Sequence, residues 1–234
     1  SERPDEPKAQ MSPVTQQRPG AIRAALAWAL VAGLMVGPVV VAAFSPYLAW
    51  RSAAYVIGGF AGILCLSLML IQPLLAAGYM PGLAPALARR WHRRVGTGLV
   101  ALVAVHVGGL FLTSPMDTLD VLLLRAPTPF AVHGFLAMWG IVLTALLVAL
   151  RRRLARRPIL SDTAWRWLHN LLALGVVATT CIHAAPIDGA MGPVSKAVLL
   201  VAVALAGGLA ALDLRLLRPA RHRRKPPDSG HLGP

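Results

Sequence analysis

The chain has 234 residues, of which 56% are hydrophobic and only 14% are charged, and its mean hydropathy is +0.63. This composition excludes an ordinary soluble domain and indicates an integral membrane protein. The formal net charge of +14 would suit nucleic-acid binding. The basic residues, however, stand in short clusters between apolar runs, so membrane topology explains them and no nucleic-acid partner is expected. Cys65 and Cys181 lie inside apolar segments, which indicates packing rather than a disulfide or metal framework.

Taken in chain order, residues 1–20 are polar and rich in Pro and Gln, which predicts a disordered tail and no signal peptide. The next part of the chain contains six apolar segments, each near the length of about 20 residues that crosses a bilayer as a helix. They are 21–44, 53–75, 95–112, 130–150, 167–184 and 194–214. The third and fifth are expected to begin earlier, near Trp91 and Trp165. A short interfacial helix is predicted at 117–124, and residues 217–234 form a second, basic tail. The predicted fold is therefore all-α, a six-helix transmembrane domain over 21–216.

The basic residues predict the orientation of this bundle. All Lys and Arg except Arg51, Arg125 and Lys196 lie at the N-terminal flank, the second and fourth connections or the C-terminal flank. Because cytoplasmic loops carry the excess of positive charge, both termini are predicted to be cytoplasmic. The expected location is a bacterial inner membrane.

Histidines recur on two of the predicted helices. His92 and His106 are fourteen residues apart in WHRRVGTGLVALVAVH, and His169 and His183 are fourteen apart in WLHNLLALGVVATTCIH. Fourteen residues come within roughly 40° of four helical turns and advance about 21 Å. Each helix therefore shows both of its histidines on one face, at two depths.

The third and fifth helices run in the same direction, so their histidines match in depth. If the helices face each other, His92 with His169 and His106 with His183 form two bis-histidine haem sites, roughly 20 Å apart. A hydrogen bond to a neighbour explains a lone membrane histidine equally well. Two pairs matched in spacing, direction and depth favour iron ligation instead.

These two stretches resemble the third and fifth helices of the ferric reductase-like transmembrane domain family. That family includes ferric reductases, NADPH oxidases and the membrane partner of periplasmic methionine sulfoxide reductase. The resemblance covers about 21–214 and implies two b haems, one held by His92 and His169 toward the cytoplasm and one by His106 and His183 toward the outside. It implies that electrons cross from the cytoplasm outward.

Several relatives carry a C-terminal flavin and nicotinamide domain, but this sequence contains no glycine-rich dinucleotide loop in a strand-turn-helix context. The expectation is a membrane subunit of an oxidoreductase, with flavin supplied only by a separate partner. The donor is then a cytoplasmic flavoprotein reductase, a membrane quinol or a domain outside this sequence. The acceptor is a metal chelate, oxygen or a periplasmic reductase.

Two alternatives stay open. One is the haem-binding partner of a methionine sulfoxide reductase, although the complete inner histidine pair leans toward the two-haem type. The other is a haem-free transporter or anchoring subunit whose histidines carry protons or bind a metal ion.

Arginines and a fifth histidine are candidates for supporting roles. Arg93, Arg94 and Arg166, at the cytoplasmic ends of the histidine helices, could contact haem propionates or an acidic donor protein. Topology alone accounts for them slightly better. His133 is a candidate for an outer acceptor site, and a solvated loop is its alternative. Its candidate partners are the acidic residues of the outer connections, Asp117, Asp120 and Asp188.

Glycines suggest two further features. The four-residue spacing of Gly58 and Gly62 is typical of helix packing in membranes. Glycines also flank the first histidine pair, where a bulky planar ligand would need room. These are Gly96, Gly98, Gly108 and Gly109.

Overall fold

A computed structural model of the chain describes residues 19–153 and 161–213. In these ranges the chain forms seven α-helices and a short 3₁₀ helix at Pro46–Leu48. The α-helices are α1 (Pro19–Ala43), α2 (Ala53–Ala77), α3 (Pro85–Thr113), α4 (Pro115–Leu122), α5 (Pro129–Arg153), α6 (Asp162–Ala184) and α7 (Pro193–Asp213).

Six of these helices, all except α4, are long and apolar enough to cross a membrane. The predicted all-α fold with six candidate spans is therefore confirmed, and the protein is a multi-pass membrane protein. The short helix predicted at 117–124 is present as α4. The tails predicted at 1–20 and 217–234 lie outside the described residues, apart from Pro19 and Gly20, which begin α1.

Local signals explain where the helices begin and end. Ser52 caps α2 by accepting a hydrogen bond from the backbone N–H of Tyr55, and Gly78 ends this helix in the left-handed conformation with φ of 76°. α3 begins with a proline at its first turn, where the missing N–H needs no partner. It starts six residues before the predicted start near Trp91, because its first turns are basic and lack the apolar signal.

The helices form two antiparallel hairpins. The closest pairs are α2 with α3 and α5 with α6, whereas α3 and α6 make almost no backbone contact with each other. α7 packs on both α2 and α6. Its Leu199 and Val203 are fully buried and lie in one apolar cluster with Leu66, Leu70 and residues of α3 and α6.

Two hydrogen bonds join elements at one end of the bundle. Trp28 Nε1 of α1 donates to Pro81 O in the α2–α3 connection at 3.1 Å. Tyr79 Oη of the same connection donates to Leu209 O of α7 at 3.3 Å. The arginine clusters of α3, α5 and α6 belong to this end, which we call the basic end. The other end, formed by the 3₁₀ helix, α4 and the α6–α7 connection, we call the opposite end. The placement of the basic end in the cytoplasm stays a prediction.

Candidate cofactor site

The histidines of α3 and α6 meet between the two hairpins. Near the basic end, the ring centres of His92 and His169 are 6.3 Å apart, with the planes inclined by 76°. Near the opposite end, His106 and His183 line one cavity. The structure thus brings His92 and His169 together and places His106 and His183 on one cavity, and the role of all four as ligands stays a prediction.

The cavity at the His106–His183 pair has a volume of about 1130 Å³. This is slightly above the roughly 300–1,000 Å³ typical of small-molecule sites. Apolar side chains from α2, α3 and α5 line its deeper part: Cys65, Leu66, Met69, Val103, Ala137, Met138 and Ile141. Asp117, Asp120, Asp188 and Lys196 line it at the opposite end. The cavity therefore extends from the apolar interior to the polar end of the bundle.

His106 is held by α2. Its Nδ1 lies 2.8 Å from the carbonyl oxygen of Gly58. Because a carbonyl only accepts, Nδ1 carries the proton in this bond and Nε2 keeps a free lone pair. One helical turn further on, a Cβ added to Gly62 would lie 2.9 Å from the His106 ring. Only a glycine lets the ring lie this close to α2.

His183 is held in the same way by α5. Its Nδ1 lies 2.9 Å from the carbonyl oxygen of Phe130, and a Cβ on Gly134, again one turn further on, would lie 2.7 Å from the His183 ring. Both imidazoles of this pair therefore have an oriented ring and an available Nε2. A hydrogen bond from the other ring nitrogen is the usual support of a metal-binding histidine.

The helices that support His106 and His183 can be compared fourteen residues further along, at the level of the other histidine pair. Fourteen residues beyond Gly58 on α2 is Gln72, whose carbonyl oxygen lies 3.2 Å from Nδ1 of His92. The position fourteen residues beyond Phe130 on α5 is Thr144. Its hydroxyl donates to Gly140 O on its own helix at 2.7 Å. The hairpins are thus alike around His106 and His183 and differ around the other pair.

His169 is supported by aromatic stacking. The Trp165 ring lies parallel to the His169 ring, with 6° between the ring planes and 5.1 Å between the ring centres. The guanidinium of Arg151 lies over the Trp165 ring, 4.1 Å from its centre. Nδ1 of His169 is buried and has no hydrogen-bond partner in the part of the chain that the structure describes. The ring is held by its neighbours' faces, not by a carbonyl.

The residues fit a bis-histidine haem iron. An imidazole nitrogen binds a metal at about 2 Å, so two imidazoles on opposite sides of one iron have ring centres roughly 6 Å apart. The His92–His169 separation of 6.3 Å agrees with this. At the other pair, the glycine-backed rings would supply the ligands and the apolar cavity would supply the space.

The predicted arginines lie at the basic end and have no acidic partner among the described residues. In that part of the chain the ion pair is formed by Arg151 and Asp162. Arg93, Arg94 and Arg166 are exposed, and Arg94 lies 5.5 Å over the Trp91 ring. Contact with a propionate or a donor protein stays a prediction.

His133 lies apart from the cavity lining. Its Nδ1 bonds to the carbonyl oxygen of Pro129 on its own helix at 3.0 Å. Within 19–153 and 161–213, no three His, Cys, Asp or Glu side chains come together in a way that would hold a metal ion. The three predicted acidic partners do line the cavity, but the structure does not bring His133 to them, and its acceptor role stays a prediction.

Sequence reasoning assigned the glycines differently from the structure. Gly58 does pack against a helix, since a Cβ there would lie 3.2 Å from Gly109 Cα, but Gly62 backs a histidine ring. Gly109 and Gly96 face α2 and not a ligand space. Gly134 was not singled out, although its position four residues after Phe130 matches the step from Gly58 to Gly62.

Comparison of the chain with known protein families, with curated proteins and with solved structures found no match. Fold and site therefore define the class: a six-span membrane protein in which two parallel helices present paired histidines at two depths.

Proposed function

We propose that the protein transfers electrons across a membrane through two b haems, in the manner of the ferric reductase-like family that its histidine helices resemble. The observation that carries the proposal is the repeated support of His106 and His183. In each hairpin a helix carbonyl binds Nδ1 and a glycine one turn on backs the ring. A packing role for these histidines would not require Nε2 of both to remain available in one cavity.

The proposed haem supplies reversible one-electron chemistry when bound. The chain's own residues supply the remaining requirements. His92 with His169 and His106 with His183 would hold the iron, and at His106 and His183 the carbonyls would fix the ring orientation and make the imidazoles better donors. The apolar lining of the deeper part of the cavity would surround the metal with few polar groups, which is one way in which a protein tunes a redox potential.

Charge at the two ends supports a direction for this transfer. The exposed arginines at the basic end suit an acidic flavoprotein donor or an anionic headgroup, and a membrane quinol is the other donor that we propose. The cavity reaches the opposite end, so the acceptor is a metal chelate, oxygen or a reductase on that side. By the positive-inside rule, the direction is from the cytoplasm outward.

The test is the haem content of the detergent-purified chain, measured as extracted haem per protein together with a reduced-minus-oxidised absorption spectrum. We expect two low-spin b haems. His106→Ala and His92→Ala should each remove one and leave the other, whereas the matched control His133→Ala, which changes a histidine away from the cavity, should keep both.

Other results would redirect the proposal. One haem in the unaltered chain would favour the methionine sulfoxide reductase partner type. No haem after expression with added haem would refute electron transfer and favour the transporter or anchoring alternative. Two haems that survive both single-histidine variants would refute the pairing.

A further inference from the structure

The side chain of Gln72 lies against His92 in a way that no other described residue of the four-histidine site repeats. With the amide turned to satisfy both of its ends, its nitrogen donates to Nδ1 of His92 at 2.7 Å and to the His92 carbonyl at 3.1 Å. Its oxygen then accepts from the backbone N–H of Gly96 at 2.9 Å. With the amide turned the other way, oxygen would face the His92 carbonyl oxygen and nitrogen would face the Gly96 N–H, and both contacts are repulsive.

The favourable orientation determines where the His92 proton lies. If Nδ1 accepts from the amide, it carries no proton, so in the neutral ring the proton is on Nε2. The backbone carbonyl of the same Gln72, 3.2 Å from Nδ1, favours the opposite arrangement, since it can only accept. The amide contact, at 2.7 Å, is the shorter of the two.

This matters because only an unprotonated nitrogen binds iron. With the proton on Nε2, His92 cannot present that atom to His169 as a ligand. At His106 and His183 a carbonyl alone faces Nδ1, so their Nε2 is free from the outset. On α5, Thr144 occupies the register position of Gln72, and its hydroxyl bonds to its own helix.

We propose that Gln72 is a positioning residue that selects the tautomer of His92, holding Nε2 protonated until the amide turns by 180° as iron binds. In the turned state, amide oxygen and backbone carbonyl both accept from Nδ1–H. The part that concerns iron rests on the proposed function, whereas the part that concerns the tautomer does not.

The first experiment needs no haem. The chain has 7 histidines, so ¹⁵N labelling of histidine in the haem-free protein gives a small set of ring-nitrogen resonances, and His92→Ala identifies those of His92. We expect Nε2–H in the unaltered chain. Gln72→Met, which keeps the length of the side chain but removes the amide, should move the proton to Nδ1. The matched control Thr144→Val, at the same register position of the other hairpin, should leave His92 unchanged.

The second experiment is a haem titration that follows the His92–His169 site in a His106→Ala background, where the other site is absent. Removing one net hydrogen bond that favours the wrong tautomer should tighten haem binding in Gln72→Met by roughly 2- to 12-fold. A residue with a merely structural role would weaken it. Gln72→Glu, whose carboxylate only accepts from Nδ1–H, provides a second variant with the proton on Nδ1 if Gln72→Met does not fold.

The outcomes separate the two proposals. An Nδ1–H tautomer in the unaltered chain, or a His92 pattern that neither variant changes, would overturn the role of Gln72 even if haem binds. Weaker haem binding in both variants would do the same. The predicted tautomer shift in a protein that never binds haem would support the role of Gln72 on His92 and would refute the proposed function.

Discussion

Gly134→Ala tests the support of His183 most directly. The added Cβ would lie 2.7 Å from the ring, and ordinary van der Waals contact begins at 3.4 Å, so the ring must move by about 0.7 Å. A movement away from α5 would stretch the 2.9 Å bond from Nδ1 to Phe130 O to roughly 3.6 Å, which is no longer a hydrogen bond. Overpacking of this kind costs about 1–3 kcal/mol, and we expect haem affinity at the His106–His183 site to fall by about 5- to 150-fold.

The assay is a haem titration of the purified variant, read as stoichiometry and as the reduced-minus-oxidised spectrum. The matched control is Gly175→Ala on α6, where no neighbouring atom lies within 4 Å of the new Cβ. Gly62→Ala should weaken the same site less, since its Cβ would lie 2.9 Å from the His106 ring. Full haem content and unchanged affinity in Gly134→Ala would refute the reasoning that this glycine admits the ring of a ligand.

Three further variants test neighbouring features. Gly109→Ala would place a Cβ 2.7 Å from the backbone of α2 and should lower the free energy of unfolding by about 1–3 kcal/mol. The control Gly108→Ala, which has open space around the new Cβ, should not lower it. Equal melting temperatures of the two variants in detergent would contradict this. Ser67→Ala removes a 2.9 Å bond from α2 to α1 and should cost only about 0.6 kcal/mol by the same measurement, so a loss several times larger would show that the bond does more than join two helices. Trp165→Leu removes the stack on His169 and should change the spectrum of the haem at the basic end, whereas Trp165→Phe should largely preserve that spectrum. If Trp165→Leu leaves the spectrum unchanged, the stack does not orient the His169 ring.

The six spans and the histidine faces could be predicted because both depend on patterns within one helix. An apolar run of about 20 residues and a fourteen-residue spacing require no knowledge of neighbours. The starts of α3 and α6 were predicted less well. Pro85 and Asp162 begin helical turns that carry charge, and a helix continues past the membrane boundary wherever its backbone hydrogen bonds can form.

The supports of the histidines could not be predicted, since they depend on the register between helices. Gly62 and Gly108 look alike in the sequence, yet one backs the His106 ring and the other has open space around it. Gln72 gave no signal as a single polar residue near a helix end. A signal did exist in retrospect: the steps from Gly58 to Gln72 and from His92 to His106 are equal, as an antiparallel hairpin with matched supports requires.

The packing of α7 affects the distance between the paired rings at both histidine sites. α3 and α6 approach each other through histidine side chains and hardly at all through their backbones, so their own contacts cannot fix the distance between the paired rings. α7 packs on one helix of each hairpin, with Leu199 and Val203 fully buried and Gly207 against Val177 of α6. Since close-packed interiors transmit small displacements, the spacing of the rings is set by an apolar contact outside the site. The geometry at the histidines is therefore a property of the whole bundle, and the carbonyls and glycines only orient each ring within it.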